Sequence, residues 1–196
     1  MTDSIQKPSI GQASNINYFT ESEISHILTV LHEGENRLLF LVGLELGCRV
    51  SEIKGLKWSD LQTKDIPYYV VLWDEKKDRH RVCTLPDYIW KLLRQHRKEV
   101  DERGGKHIFP YSESTINRRI KQWAKDAGIN RRVRWHCLRH TYVVQSRAKG
   151  RDWSIISMQT GDTPATLISI YSQLTLEDRH RISDESPLIS YVGDKH

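Results

Sequence analysis

One short stretch of the chain carries strand chemistry, and helix signals flank it on both sides. Residues 68–73, YYVVLW, are β-branched and aromatic, the composition of a strand. Asp74-Glu75-Lys76-Lys77-Asp78 makes a polar turn, and Arg79–Leu85 forms the returning strand, closed by Pro86. Upstream, Thr20-x-x-Glu23 is a capping box in which hydroxyl and carboxylate satisfy orphan backbone N–H groups. Phe19 and Ile24 are placed to staple across it, and Ile24, Ile27, Leu28 and Leu31 form one apolar helical stripe. A second, almost wholly apolar helix is expected over about 36–46, with Gly47 as its C-terminal cap. Ser51 and Glu52 open a short third helix. Downstream, helical patterns run over about 87–100, 114–127, 135–150, 153–159 and 164–171. One hairpin among helices makes an α+β fold: a mainly helical single domain with a small antiparallel β-sheet.

At 196 residues the chain fits one domain that folds without covalent staples. Its three cysteines (Cys48, Cys83 and Cys137) are odd in number and far apart, so neither a disulfide framework nor a CxxC metal knuckle is available. That suits a reducing cytoplasm, and a cytoplasmic, nucleoid-associated location is expected. The longest apolar run, Leu38 to Leu44, is too short to span a bilayer, and the first residues lack the apolar core of a secretory signal. No membrane partner is expected. Residues 1–17 have no periodicity and read as a flexible leader, residues 18–174 as the domain, and residues 175–196 as a tail.

Net charge is +5 and the isoelectric point near 9.1, which permits a nucleic-acid partner without requiring one. The distribution says more. From Arg118 to Arg139 there are eight Lys/Arg and one acid, Asp126, with Trp123 and Trp135 interleaved. Such a run can neutralise several phosphates, each contact adding about −0.9 to the slope of log affinity against log salt. A solvated helix face is the simpler reading of a basic run taken alone.

Four separated pieces carry the chemistry. Gly47-Cys48-Arg49-Val50-Ser51-Glu52-Ile53 places an arginine between two helices, where pairing with Glu52 is the simplest role. The hairpin Asp74–Arg81 carries Lys76 and Lys77 at its tip. Trp135-His136-Cys137-Leu138-Arg139-His140-Thr141 puts His136, Arg139 and His140 on one helical face. His-x3-His is also a zinc-ligand spacing, but Arg139 on that face would repel a metal. Thr160-Gly161-Asp162-Thr163-Pro164 is followed by Ile170-Tyr171-Ser172, where a tyrosine on an apolar face is commonly a core aromatic.

In this order and spacing the pieces resemble the catalytic domain of the tyrosine recombinase/integrase family, from about Tyr18 to Leu174. GCRVSEIKGLKWSDL resembles its first arginine box, HCLRHT its His-x-x-Arg box, and TGDTPATLISIYSQL its terminal box. The steps of 23 residues from Arg139 to Asp162 and nine more to Tyr171 fit the family's spacing. The resemblance implies a site-specific DNA recombinase acting through a 3′-phosphotyrosyl intermediate, with no metal, ATP or other cofactor. It implies double-stranded DNA as partner and a homo-oligomer assembled on it. The tail would then pack on a neighbouring subunit, or else fold onto its own domain. Many relatives carry an N-terminal DNA-clamping domain, whereas about 17 residues precede the domain here. A minimal recombinase or an excised catalytic fragment is the expectation.

The residue types suit the reaction. The pentacovalent transition state concentrates charge on the nonbridging oxygens, and Arg49 and Arg139 would clamp them with forked donors. Tyr171 would attack phosphorus. Its phenol needs a proton acceptor near neutral pH, and His136 is the candidate base. By resemblance Lys76 would protonate the leaving 5′-oxygen, with Lys77 as the alternative. Lys77, Arg118, Arg119, Lys121, Arg131, Arg132, Arg134 and His140 are the expected DNA contacts.

Asp162 stands where the family usually has histidine or another donor, and an ionised carboxylate cannot donate to phosphate. It orients a neighbour such as His136 or an arginine, is protonated by the site, or slows the enzyme with His140 partly compensating. The competing readings are a type IB-like topoisomerase, a catalytically weak DNA-binding accessory protein, and a zinc-binding helical module built on His136, Cys137 and His140.

Overall fold

The computed structural model describes residues 16–62, 67–75, 77–100 and 105–171. Among these, the chain runs α1 (Glu21–Val30), α2 (Glu35–Leu46), α3 (Val50–Gly55), a 3-10 turn (Trp58–Asp60), β1 (Leu61–Gln62), β2 (Tyr69–Asp74), β3 (Arg79–Thr84), α4 (Asp87–Val100), α5 (Glu113–Asp126), α6 (His136–Ala148), α7 (Trp153–Thr160) and α8 (Pro164–Tyr171). This is the expected α+β architecture, mainly helical with a small antiparallel sheet. None of the described helices is long and apolar enough to cross a membrane. The terminal segments 1–15 and 172–196, which hold most of the expected leader and all of the expected tail, lie outside the described residues.

The capping box at α1 forms in both directions: Thr20 Oγ1 accepts from the Glu23 N–H at 3.2 Å, and Glu23 accepts from the Thr20 N–H at 2.9 Å. α2 is the central helix, apolar on nearly every side and therefore buried on nearly every side. Phe40 meets Trp123 of α5 edge-on and the ring of Phe19 at a tilt. α6 lies against α2 so closely that a Cβ at Gly43 would stand 2.3 Å from the Trp135 ring. Gly47 ends α2 with φ of 54°, the left-handed conformation that glycine adopts at least cost. The chain then reverses at once into α3, which places Arg49 at the junction.

The sheet has the order β1-β2-β3, all antiparallel, with Leu61 opposite Val70, Leu72 opposite Arg81 and Asp74 opposite Arg79. β1 has no counterpart in the sequence pattern, because two residues are too few to display a period of two. A sheet this small needs a helical face for stability, and β3 obtains one from α7. The Gln159 amide accepts from the Thr84 N–H at 3.1 Å and donates to the Thr84 carbonyl at 2.8 Å, extending the ladder with a side chain.

Trp123 and Trp135, interleaved with the basic run, are both core residues, and the Trp135 indole donates to the Cys48 carbonyl at 3.0 Å. The period of α5 explains this: Ile116, Ile120, Trp123 and Ala124 share its inner face, and the charges project outward. A second apolar cluster joins Tyr18, Tyr142, Val143, Val144, Ile156, Leu167 and Tyr171, with Ile16 packed against it. Ile16 and Asn17 thus lie on the domain, although their sequence context reads as leader; Asn17 accepts from Arg131 Nε at 2.9 Å.

Candidate active site

Arg139 projects inward from the first turn of α6 and is almost fully buried. Its guanidinium donates to the carbonyl of Gly47 at 2.8 Å and of Thr160 at 2.7 Å. These carbonyls close α2 and α7, where helix ends leave acceptors unpaired and partial negative charge accumulates. The fork therefore bolts two helix ends together and still directs Nη2 at Asp162, 2.5 Å away.

Arg49 enters from the α2–α3 junction and is surrounded by carboxylates. Its guanidinium meets Asp74 at 2.8 Å, Asp162 at 2.9 Å and Glu52 at 3.4 Å, and its backbone N–H donates to Glu52 at 2.6 Å. The expected pairing with Glu52 exists, but it is the longest of the three. Glu52 is itself buried and takes both terminal nitrogens of Arg81, whose Nε donates to the Gln159 carbonyl at 3.2 Å. Burial works against the Arg81 charge, but the Glu52 hydrogen bonds and charge outweigh it and hold its pKa above the ordinary value.

Asp162 follows Gly161, which ends α7 in the left-handed region. Its two oxygens are divided between the two guanidiniums, one each. It contacts arginines, one of the neighbours the sequence proposed for it, and bridges both. Burial alone would raise its pKa, but the charges of Arg139, then Arg49 and Lys77, outweigh burial and hold it below the ordinary 3.8. These neighbours favour the ionised carboxylate over the protonated alternative. Because its folded pKa is depressed, its contribution to stability is complete above pH 3.8 and is lost as pH falls through the depressed value. Asp162→Asn is expected to lower the midpoint of thermal unfolding at pH 7, with the gap to wild type closing below pH 3.8. Equal midpoints at pH 7 would show that the bridge contributes nothing to the fold.

Tyr171 is the last residue of α8 and is buried against Trp153. Its hydroxyl lies 2.7 Å from Nδ1 of His140. Burial pushes the phenol's pKa up, the Arg139 charge pulls it back, Asp162 adds to the rise, and the net shift is upward. His140 is half-buried; burial first, then the charges of His136 and Arg139, lower its pKa from 6.5 to about 4, against the opposing pull of Asp162. His136 is exposed at the start of α6, its ring edge-on to His140 at 4.5 Å. The sequence pairs His136 with the tyrosine and His140 with DNA; the imidazole on the Tyr171 hydroxyl is instead that of His140.

Of the expected DNA contacts, Arg118, Lys121, Arg132 and Arg134 are exposed. Arg119 donates to Asn36 at 2.7 Å and lies 3.7 Å over the Tyr111 ring. Arg131 is held by Glu23, Asn17 and the Tyr18 carbonyl, so it ties the start of the domain to the segment before α6. Lys77 donates to the Gly161 carbonyl, bringing the hairpin beside Asp162. Lys76 lies outside the described residues. Cys137 is buried in the main core, and among the described residues no three His, Cys, Asp or Glu side chains are grouped to share a metal ion.

Asp74 and Arg81 belong to this site and were not singled out from the sequence. The signal for Asp74 was present: alternation from Val70 through Leu72 puts residue 74 on the inner face of β2. Arg81 faces inward beside Cys83, while Val82 between them is exposed, so the inner face of that strand carries a buried charge.

The sequence model of the Phage integrase family matches residues 17–177. The chain is 28% identical over 172 residues to a tyrosine recombinase of Thermosipho africanus, a match covering 83% of this chain and 59% of the relative. It is 25% identical over 186 residues to the tyrosine recombinase XerA of Thermococcus onnurineus, covering 90% of this chain and 64% of that one. The chain thus spans less than two thirds of the length of these relatives. In three dimensions it is similar to a crystal structure of XerA recombinase (TM-score 0.70, 23% identity, 94% of this chain and 67% of that one). The catalytic core of lambda integrase is also similar in fold (TM-score 0.61, 18% identity, 75% of this chain and 96% of that one).

Proposed function

The chain belongs to the phage integrase family, and on that premise we propose that it cuts and rejoins duplex DNA at specific sites through a covalent link to Tyr171. One observation carries the reading. Arg49 and Arg139, far apart in sequence, converge on a single anion, and the Tyr171 phenol lies close enough to feel the charges of both Arg139 and that anion. In the DNA-free protein the anion is the Asp162 carboxylate.

A phosphodiester would take the place of that carboxylate. The guanidinium forks would hold its nonbridging oxygens and oppose the charge that grows on them in the transition state, an effect typically worth a few kcal/mol per donor. Tyr171 Oη forms a bond to phosphorus as the bond to the 5′-oxygen breaks. The phenol proton passes to an imidazole of α6, and the leaving oxygen takes a proton from a hairpin lysine, Lys76 or Lys77. The phosphotyrosyl link keeps the energy of the broken diester, so rejoining needs neither ATP nor a metal ion. Arg118, Lys121, Arg132 and Arg134, exposed on and after α5, suit a duplex phosphate backbone. Lambda integrase, similar in fold, has been seen as a dimer on a core site and as a tetramer on a Holliday junction. Assembly of several copies on DNA is part of this reading.

The test is covalent capture. The protein is incubated with a library of nicked random duplexes, in which the short 5′-hydroxyl fragment diffuses away after cleavage. Adducts surviving denaturation are digested and mapped by mass spectrometry. The expected product is a 3′-phosphate on the peptide containing Tyr171. No adduct, or attachment at another residue, would overturn the reading.

A further inference from the structure

We propose that His140 is the general base of the cleavage step, accepting the Tyr171 proton at Nδ1. This rests on the strand-transfer reading above and names a catalytic group within it. The carrying observation is geometric: Nδ1 lies 2.7 Å from the hydroxyl, hydrogen-bond distance to the atom that must lose a proton. His136, the alternative on the same helix, is exposed at the start of α6 and meets the His140 ring edge-on.

The surroundings suit the role. The groups facing His140 are His136 and Arg139 from its own helix, Tyr171 from α8 and Asp162 from the α7–α8 connection. Burial first, then the charges of His136 and Arg139, disfavour an imidazolium, so in the free protein the ring is neutral and able to accept. Asp162 favours the imidazolium, and so would a phosphodiester held by the two guanidiniums. A phosphodiester that replaces Asp162 between the guanidiniums therefore keeps an anion beside the ring when the proton arrives.

The protons balance through the cycle. As the bond from Tyr171 Oη to phosphorus forms, the O–H proton moves to Nδ1 and leaves an imidazolium. The bond from phosphorus to the 5′-oxygen breaks, and that oxygen is protonated by a lysine ammonium. On rejoining, the 5′-hydroxyl returns its proton to the lysine, and the imidazolium returns its own to the departing phenol oxygen. Nothing is oxidised or reduced.

The experiment measures single-turnover capture on a nicked duplex across a pH series for wild type, His140→Gln and His136→Gln, with thermal unfolding to verify folding. Wild type is expected to be level with pH around neutrality. His140→Gln is expected to lose about 10²-fold at pH 7, the lower end for a general base. Its rate should then rise tenfold per pH unit, because solvent base must remove the proton. Fluorotyrosine at position 171, a more acidic phenol, should restore much of the rate to His140→Gln and change wild type little. His136→Gln should keep the level profile. A His140→Gln variant with a wild-type rate and a level profile would overturn the proposal, as would a pH-dependent loss found in His136→Gln instead. Nitrogen-15 NMR of wild-type imidazoles needs no variant: an unprotonated, hydrogen-bonded Nδ1 on His140 is expected, and an N–H at that atom would overturn the assignment. Wild type forming no adduct on any duplex is a separate result, which rejects the strand-transfer reading and this inference with it.

Discussion

Arg139→Ala is expected to slow covalent capture of DNA by about 10³-fold or more, the upper end for losing one transition-state donor, since a full positive charge leaves with it. Two roles meet in this side chain. It opposes the charge now occupied by Asp162, and it supplies the Gly47 and Thr160 carbonyls with their donor. Alanine would leave two buried acceptors at helix ends, at a cost of about 1–3 kcal/mol each. Arg139→Lys separates the roles, because it keeps the charge but cannot serve three partners with a planar fork. The measurements are single-turnover capture on a nicked duplex and equilibrium DNA binding at the same salt. Most of the binding should survive, because in the proposed reading the exposed arginines and lysines on and after α5 would supply it. Capture by the alanine variant within tenfold of wild type would remove Arg139 from the phosphate site.

Glu52→Ala is expected to destabilise the protein by about 3–5 kcal/mol, the range for breaking a buried ion pair from one side. Glu52 is buried beneath α3, and its two oxygens serve both terminal nitrogens of Arg81 and both the side chain and the backbone of Arg49. Without it the Arg81 guanidinium stays buried without a carboxylate of its own. In urea denaturation the midpoint should fall while the slope stays the same, since the surface exposed on unfolding hardly changes. Adding Arg81→Met should recover much of the loss, because a buried pair replaced as a whole by apolar groups is often neutral. If the double variant is as unstable as the single one, the ion pair is not the source of the cost. Capture should also slow in Glu52→Ala, since Arg49 loses the group that fixes its backbone entry into α3.

Together Arg49, Arg81 and Arg139 face Glu52, Asp74 and Asp162, three positive and three negative groups of which all but Arg49 and Asp162 are buried. The balance explains how so many charges persist in the interior. It also makes Asp162 the member that can leave, because it is more exposed than the other two acids. Displacement by a phosphodiester would exchange one anion for another.

The elements were legible where their signals are local. Thr20 and Glu23, Gly47, and the outward charges of α5 each act within a turn or two of chain, so helix positions could be read directly. The three boxes were legible as spacing. Partnership was not. Arg49 reaches Asp74 across 25 positions and Asp162 across 113, and Arg81 reaches Glu52 across 29. No periodicity encodes such pairs. Arg81 is buried on the inner face of β3 beside Cys83 because Glu52 receives its charge there, and Val82 faces out.

Residue order alone determined the helices, the hairpin and the candidates for handling a phosphodiester. The closed fold decided which imidazole meets the phenol and that a carboxylate bridges the two guanidiniums. The reason is that caps and amphipathic stripes draw their energy from neighbours along the chain. Hydrogen bonds form only within a few ångströms and ion-pair energies fall with separation in space, whatever the distance in sequence.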